Sequence, residues 1–160
     1  MRTTFAKKEQ RSSGVLSPIA STNDVKQLGF SNFEPWKVRV GGISFPTLEH
    51  AYQAAKTEDP WIKRQIAACA TPGQAKRMGN KIQLPDDWQE RKVEVMARLL
   101  RFKFRKGGKW ASLLAQTVGD LVEYTTWHDT FWGVCICRVH AFEGENMLGR
   151  LLTKIREDNA

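Results

Sequence analysis

The apolar positions of this chain change period several times, and each change marks an element. In WKVRVGGISF, Val38 and Val40 alternate with basic residues, and Ile43 and Phe45 resume the alternation after Gly41-Gly42. Period two on both sides of a glycine pair predicts a β-hairpin, the glycines supplying the positive φ of a tight turn. From Thr47, the expected N-cap, the period becomes helical. In PTLEHAYQAAK, at about 100° per residue, Leu48, Ala51, Ala54 and Ala55 fall broadly on one side and Glu49, Tyr52, Gln53 and Lys56 on the other. That polar stripe is narrow and chemically mixed, and can be read as a solvated surface or as the lining of a pocket.

Asp59-Pro60 and Thr71-Pro72 each place a capping side chain before a proline at the first helical position. Gly79 is expected to end the second of these helices in a left-handed conformation. The longest helix should begin near Asp86 or Asp87 and run to about Phe104, with Val93, Met96, Ala97, Leu100 and Phe104 on one stripe and Val95, Leu99 and Phe102 on another. Two apolar stripes predict a central helix. KWASLLAQT reads as a short helix, and LVEYTT and FWGVCIC as strands joined by the turn-like Trp127-His128-Asp129. ENMLGRLLTKIRE is a helix with Leu148, Leu151, Leu152 and Ile155 inward. Its Gly149 costs up to about 1 kcal/mol relative to alanine, so another backbone or a ligand is expected close by. VLSPIAS could supply a short edge strand. Residues 1–14 read as a mobile basic tail and 15–160 as the domain. The predicted fold class is α+β, a predominantly helical single domain around a small antiparallel sheet.

Composition adds less. At 160 residues, 41% of them hydrophobic, the chain can bury a core without disulfides. No apolar run is long enough to span a bilayer and no secretory signal is visible, so the expected location is cytoplasmic, away from membranes. Cys69, Cys135 and Cys137 are an odd number and suit a reducing compartment. Cys135 and Cys137 alternate on a strand and read as buried thiols facing one side. His50, His128 and His140 form no recognised zinc signature, so neither a metal site nor a cofactor is expected. The net charge of +8 points to anionic partners without saying which. Arg98, Arg101, Lys103, Arg105, Lys106 and Lys109 concentrate that charge around two phenylalanines, a superficial nucleic-acid signature. Leu100 and Phe104 continue the helix's apolar face, however, which makes most of these cations its solvated side.

There is no G-x-S-x-G elbow, P-loop or Rossmann fingerprint. What stands out is carboxylates and amides among aromatics. FSNFEPW sets Asn32 beside Phe33, PDDWQE sets Trp88 at a helix start, and TWHDTFWG sets Asp129 among Trp127, Phe131 and Trp132. With the Glu49–Lys56 stripe and the Asn146 cap, these residues suggest a pocket for a flat heterocycle joined to a phosphorylated sugar. Trp36, Trp61 and Trp110 are expected in the core.

The series FSNFEPW, G-x-x-F-P-T-x-E-H-A-Y-Q-A-A-K, A-T-P-G-x-A-K-R-M-G, D-W, K-x-x-V-M-x-x-L-L-x-x-K-F, D-x-F-W-G and G-x-N-x-L-G-x-L-L-x-x-I-R resembles the NADAR family of YbiA-like N-glycosidases, over about residues 28–156. The resemblance implies cleavage of an N-glycosidic bond, on ribosylaminopyrimidine phosphates of riboflavin synthesis or on ADP-ribosylated guanine. The implied partner is a small phosphorylated riboside or ADP-ribosyl compound, including ADP-ribosylated nucleic acid. Glu49 is implied as the main catalytic carboxylate and Asp129 as the second acid. Trp88 and Trp132 are implied at base or ribose, and Lys56 and Asn146 at phosphate and ribose. Asn32, Phe33, Tyr52, Gln53 and Phe131 complete the substrate-binding set. Two positions depart from the family pattern: Val118 separates Thr117 from Gly119, and His128 precedes Asp129 where glycine is frequent. The alternative reading is a non-catalytic module that binds ADP-ribose or nucleic acid.

Overall fold

In the computed structural model, which describes residues 23–160, the hairpin forms where the alternation places it. Strands β1 (Val38–Val40) and β2 (Ile43–Phe45) pair antiparallel in the register Val38↔Phe45. Gly41 and Gly42 turn the chain at φ of 55° and 81°, values that an L side chain adopts only with strain. Val38 and Phe45 point into the core. The tail at 1–14 and the strand expected in VLSPIAS lie outside the described residues.

The capping side chains set the next helices. Helix α1 (Leu48–Ala54) is capped by Thr47, whose hydroxyl accepts the His50 amide. Helix α2 (Pro60–Ala67) is capped by Asp59 and α3 (Pro72–Gly79) by Thr71. Gly79 departs from expectation: it lies inside α3, and the chain leaves the helix through Asn80 at an ordinary right-handed φ of −72°. Its missing side chain serves packing instead, because a Cβ there would collide with the Gln53 amide.

Helix α4 (Trp88–Lys103) is the central one, touching α1 and α6. Met96, Ala97, Leu99 and Leu100 are buried as the stripes require, but Phe102 is exposed and Lys103 buried in its stead. The exchange has a polar cause: the Lys103 ammonium donates to the Ser31 carbonyl at 3.0 Å and lies over the Trp110 ring. Burial lowers its pKa to about 8. Helix α5 (Lys109–Leu114) follows, and α6 (Met147–Asn159) closes the chain with Leu148, Leu152 and Ile155 inward.

Strands β3 (Tyr124–Thr125) and β4 (Val134–Cys135) form a second two-stranded sheet, and they pair parallel rather than antiparallel. The segment between them turns back fully before β4 begins, so both strands run the same way. The architecture is α+β, helices around small sheets, with a core that runs continuously from Val25 to Ile155. Trp36 and Trp110 pack against it, whereas Trp61 is 62% exposed and does not. Among the described residues no helix is long and apolar enough to cross a membrane.

Candidate active site

All seven residues of α1 are buried, polar ones included. Its apolar side meets the core, so its polar stripe must face something other than bulk water. That something is a pocket of about 590 Å³ lined by Glu49, Tyr52, Gln53 and Lys56 together with Asn32, Phe33, Trp88, Asp129 and Trp132, a volume within the usual range for small-molecule sites. Of the candidate residues, Phe131 and Asn146 are not in this lining. Phe131 packs edge-on against Trp132 and carries the Lys92 ammonium 3.7 Å over its ring.

Asn146 is occupied elsewhere. It sits in the left-handed conformation ahead of α6 without capping it; its Oδ1 accepts the Glu123 amide at 3.0 Å and its Nδ2 donates to the Leu121 carbonyl at 2.8 Å. The side chain therefore pins the 121–125 segment from outside the pocket lining. Gly149 lies against the same carbonyl, where a Cβ would clash. The close approach expected at that glycine is thus made by backbone.

Glu49 is the pocket's central charge. Its amide donates to the Asn32 carbonyl at 3.0 Å, tying α1 to the Ser31–Phe33 turn, and its Oε1 accepts from Gln53 Nε2 at 2.7 Å. Burial pushes its pKa above the usual carboxylate range, against the opposing pull of Gln53, Lys76 and Lys56, with Asp129 adding to the rise. Burial likewise lowers the Lys56 ammonium, which Glu49 partly restores. Neighbouring His50 plays a different part: its Nε2 faces the Cys69 carbonyl, which only accepts, so Nδ1 is left to accept from Thr47. It anchors α1 and leaves the chemistry to other groups.

Asp129 holds a turn. Its Oδ1 accepts the amides of Phe131 and Trp132, at 3.1 and 2.9 Å, and its carbonyl accepts from the Thr125 hydroxyl. The first amides of α6 in turn donate to the Phe131 and Trp132 carbonyls. Trp132 is thereby fixed edge-on to Tyr52, with Trp88 tilted against the same ring at 5.5 Å. These three rings make an aromatic wall beside the carboxylates.

Sequence reasoning assigned no role to Glu123, Thr125, Lys26 or Lys76, and all four line the pocket. A signal was present for the first two. Alternation along LVEYTT puts Leu121, Glu123 and Thr125 on one face, and all three are buried. A carboxylate on a buried strand face needs a reason. Burial pushes Glu123 up to about 7, although Lys26 stands 3.6 Å away. Lys26 and Lys76 also flank Trp127, at 4.3 and 4.9 Å from its ring.

Three buried acceptors of the pocket have no protein partner: Asn32 Oδ1, Gln53 Oε1 and Glu123 Oε2. Folded proteins satisfy such atoms almost everywhere; Gln53 Oε1 is packed against Gly79, which leaves Asn32 Oδ1 and Glu123 Oε2 to invite the hydroxyls or N–H groups of a ligand. The basic run at 98–109 offers less than its sequence promised. Arg98 and Arg101 pair with Glu94, and Lys103 is buried. His128 and His140, which no zinc motif joins in sequence, come together with Cys135 and Cys137 outside the pocket lining.

A family model described as NADAR domain matches residues 4–158. The N-glycosidase YbiA of Escherichia coli (strain K12) is 37% identical over 134 residues, covering 82% of this chain and 81% of that protein. The chloroplastic riboflavin biosynthesis protein PYRR of Zea mays is 32% identical over 146 residues, covering 81% of this chain but 23% of the plant protein. The NMR structure of E. coli YbiA superposes with a TM-score of 0.69 at 33% identity, over 95% of this chain and 89% of that one.

Proposed function

The chain belongs to the NADAR domain family and is a hydrolase of N-glycosyl bonds, and from that premise we propose that it cleaves the bond between a heterocyclic base and a phosphorylated ribose in the pocket around Glu49. The observation that carries the proposal is one buried carboxylate, Glu49, set in a recess beside an aromatic wall and two lysines. Ribosylaminopyrimidine phosphates, of the kind a riboflavin-pathway relative would meet, and ADP-ribosylated guanine both present the required groups. Each joins a flat base to a ribose that carries phosphate.

When the C1′–N bond breaks, its electron pair leaves with the nitrogen and positive charge develops on C1′ and the ring oxygen. A fixed anion stabilises that state more than the neutral substrate. Glu49 supplies the anion, and then takes the proton from the water that adds to C1′. Tyr52, Trp88 and Trp132 hold the base, while Lys56 and Lys76 face the phosphate. Asp129 keeps the Trp132 turn in place and presents its carboxylate to the ribose hydroxyls. The departing nitrogen needs a proton, and Glu123, with its pKa raised to about 7, can still carry one at neutral pH.

This assignment sets a pH profile. Wild-type kcat/KM should fall as pH rises above about 7, where Glu123 loses its proton. Glu123→Gln should lower the rate about 10²-fold and abolish that alkaline limb; a limb that persists in the variant assigns the proton to another group. Stability moves in a related way. Because the folded pKa is raised, the carboxyl's favourable contribution is complete in acid and is lost as pH climbs through about 7. Glu123→Gln should therefore gain in Tm on wild type as pH goes from about 4.5 to about 7, the difference levelling off above that.

The activity itself is tested by incubating the full chain with a ribosylaminopyrimidine phosphate, ADP-ribosylated guanosine, ADP-ribose and NAD, and resolving released base by chromatography. Base freed from at least one of them is the expected result. Tight binding of all four with no base released would return the chain to the alternative of a non-catalytic module.

A further inference from the structure

Outside the pocket, the loop after β3 and the end of β4 bring two imidazoles and two thiols to one point. The ligand atoms of His128, Cys135, Cys137 and His140 all lie within 4.8 Å of one another. The two Nδ1 atoms are 3.2 Å apart, and Cys137 Sγ lies 3.4 Å from that of His128 and 3.1 Å from that of His140. A tetrahedral zinc ion, with Zn–S of about 2.3 Å and Zn–N of about 2.0–2.1 Å, holds its ligands roughly 3.3–3.8 Å from each other. The three short separations therefore come close to the edges of that tetrahedron.

We propose that His128, Cys135, Cys137 and His140 bind one Zn²⁺ ion as a closed, four-ligand structural site. It takes the place of the sequence expectation that this chain has no metal site. The sequence hid it because its spacing, H-x₆-C-x-C-x₂-H, matches no common zinc module.

The donor set selects the ion. Two thiolates and two imidazoles in a tetrahedral array suit zinc, whereas magnesium and calcium want oxygen. Binding displaces one proton from each thiol, and the two thiolates neutralise the ion's charge. The local backbone is arranged for this: the His140 amide points at Cys137 Sγ at 3.4 Å, and the Ala141 amide closes the Cys137–His140 turn on the Cys137 carbonyl at 2.8 Å. His128, Ala141 and Phe142 take φ of 63°, 45° and 72°, a region that side-chain-bearing residues enter only when their surroundings hold them. A metal clip at this point supplies the hold. Cys135 and Cys137 are buried and His128 is exposed, so the ion enters from the histidine side. With four protein donors it has no open position for catalysis.

The clip's effect is on the neighbouring turn. His128 directly precedes Asp129, whose Oδ1 organises Phe131 and Trp132, so the zinc fixes both ends of the segment that delivers Trp132 to the pocket. The site stands independently of the reaction assigned to that pocket.

The test is metal analysis of the full chain, purified without chelator or affinity metal. Wild type should carry one zinc per chain by mass spectrometry of the element. Cys137→Ser and His140→Gln should each bind zinc at least ~100-fold more weakly. Replacement of the zinc by Co²⁺ should give the visible bands of tetrahedral cobalt together with a thiolate-to-cobalt charge-transfer band in the near ultraviolet. That spectrum reads the ligands in wild type and does not depend on either variant folding. Wild type that holds no zinc even after refolding with it, cobalt bound without the thiolate band, or zinc content unchanged in Cys137→Ser would each overturn the site.

Discussion

Glu49→Gln is expected to lower kcat by about 10³-fold, the scale of removing a preorganised charge or proton acceptor, with little change in KM. The substitution keeps the shape of the side chain. Its remaining oxygen still accepts from Gln53 Nε2, and the amide of residue 49 still donates to the Asn32 carbonyl, so α1 and the turn it holds are unaffected. What disappears is an anion that burial has made costly to keep. For a carboxyl whose folded pKa is raised, the favourable contribution to stability is present in acid and lost as pH rises through that pKa. The variant escapes this loss and should melt at or above the wild-type temperature at pH 8. Activity lost with Tm maintained is the signature of a group that serves the transition state. Near-normal release of base would remove Glu49 from the chemistry, and a large fall in Tm would make it structural.

How much of this was legible beforehand depends on the kind of signal. Capping side chains act within one turn of backbone, so Thr47, Asp59 and Thr71 marked their helices correctly. The hairpin was equally local. Phe102 and Lys103 were misjudged because hydrophobic spacing has no knowledge of a carbonyl such as that of Ser31, which lies far off in sequence and repays burial of an ammonium. The parallel pairing of β3 with β4 depended on a loop whose path is set by tertiary contacts, Asp129 to its own turn and the α6 amides to the Phe131 and Trp132 carbonyls. The pocket was partly visible as a narrow, chemically mixed polar stripe, which the sequence left open between a solvated surface and a pocket lining until the burial of all seven α1 residues decided it. Glu123 was visible only to someone who asked why strand alternation buries a carboxylate. The cysteine–histidine cluster was not visible, since its members gain meaning only when the chain folds back on itself.

The largest expected effect on stability comes from a residue with no side chain. Gly149→Ala would gain up to about 1 kcal/mol of helix propensity if the site were open. It is closed: the new methyl would run into the Leu121 carbonyl and the Asn146 amide, and both are held, because Asn146 bridges Leu121 and Glu123. Overpacking against fixed backbone costs about 1–3 kcal/mol or more, so a net loss of about 2 kcal/mol and a Tm lower by roughly 4–8 °C are expected. The strain would also displace the 121–125 segment, which brings Glu123 and Thr125 to the pocket, and kcat should fall although nothing in the pocket lining has been changed. Asn146→Ala separates the two roles open to that amide. As the pin described above, it leaves the Leu121 carbonyl and the Glu123 amide short of a partner, and lowers Tm by a similar amount. If Asn146 instead contacted substrate directly, KM would rise while Tm stayed within a degree of wild type, and the account of how α6 positions the pocket would fail with it.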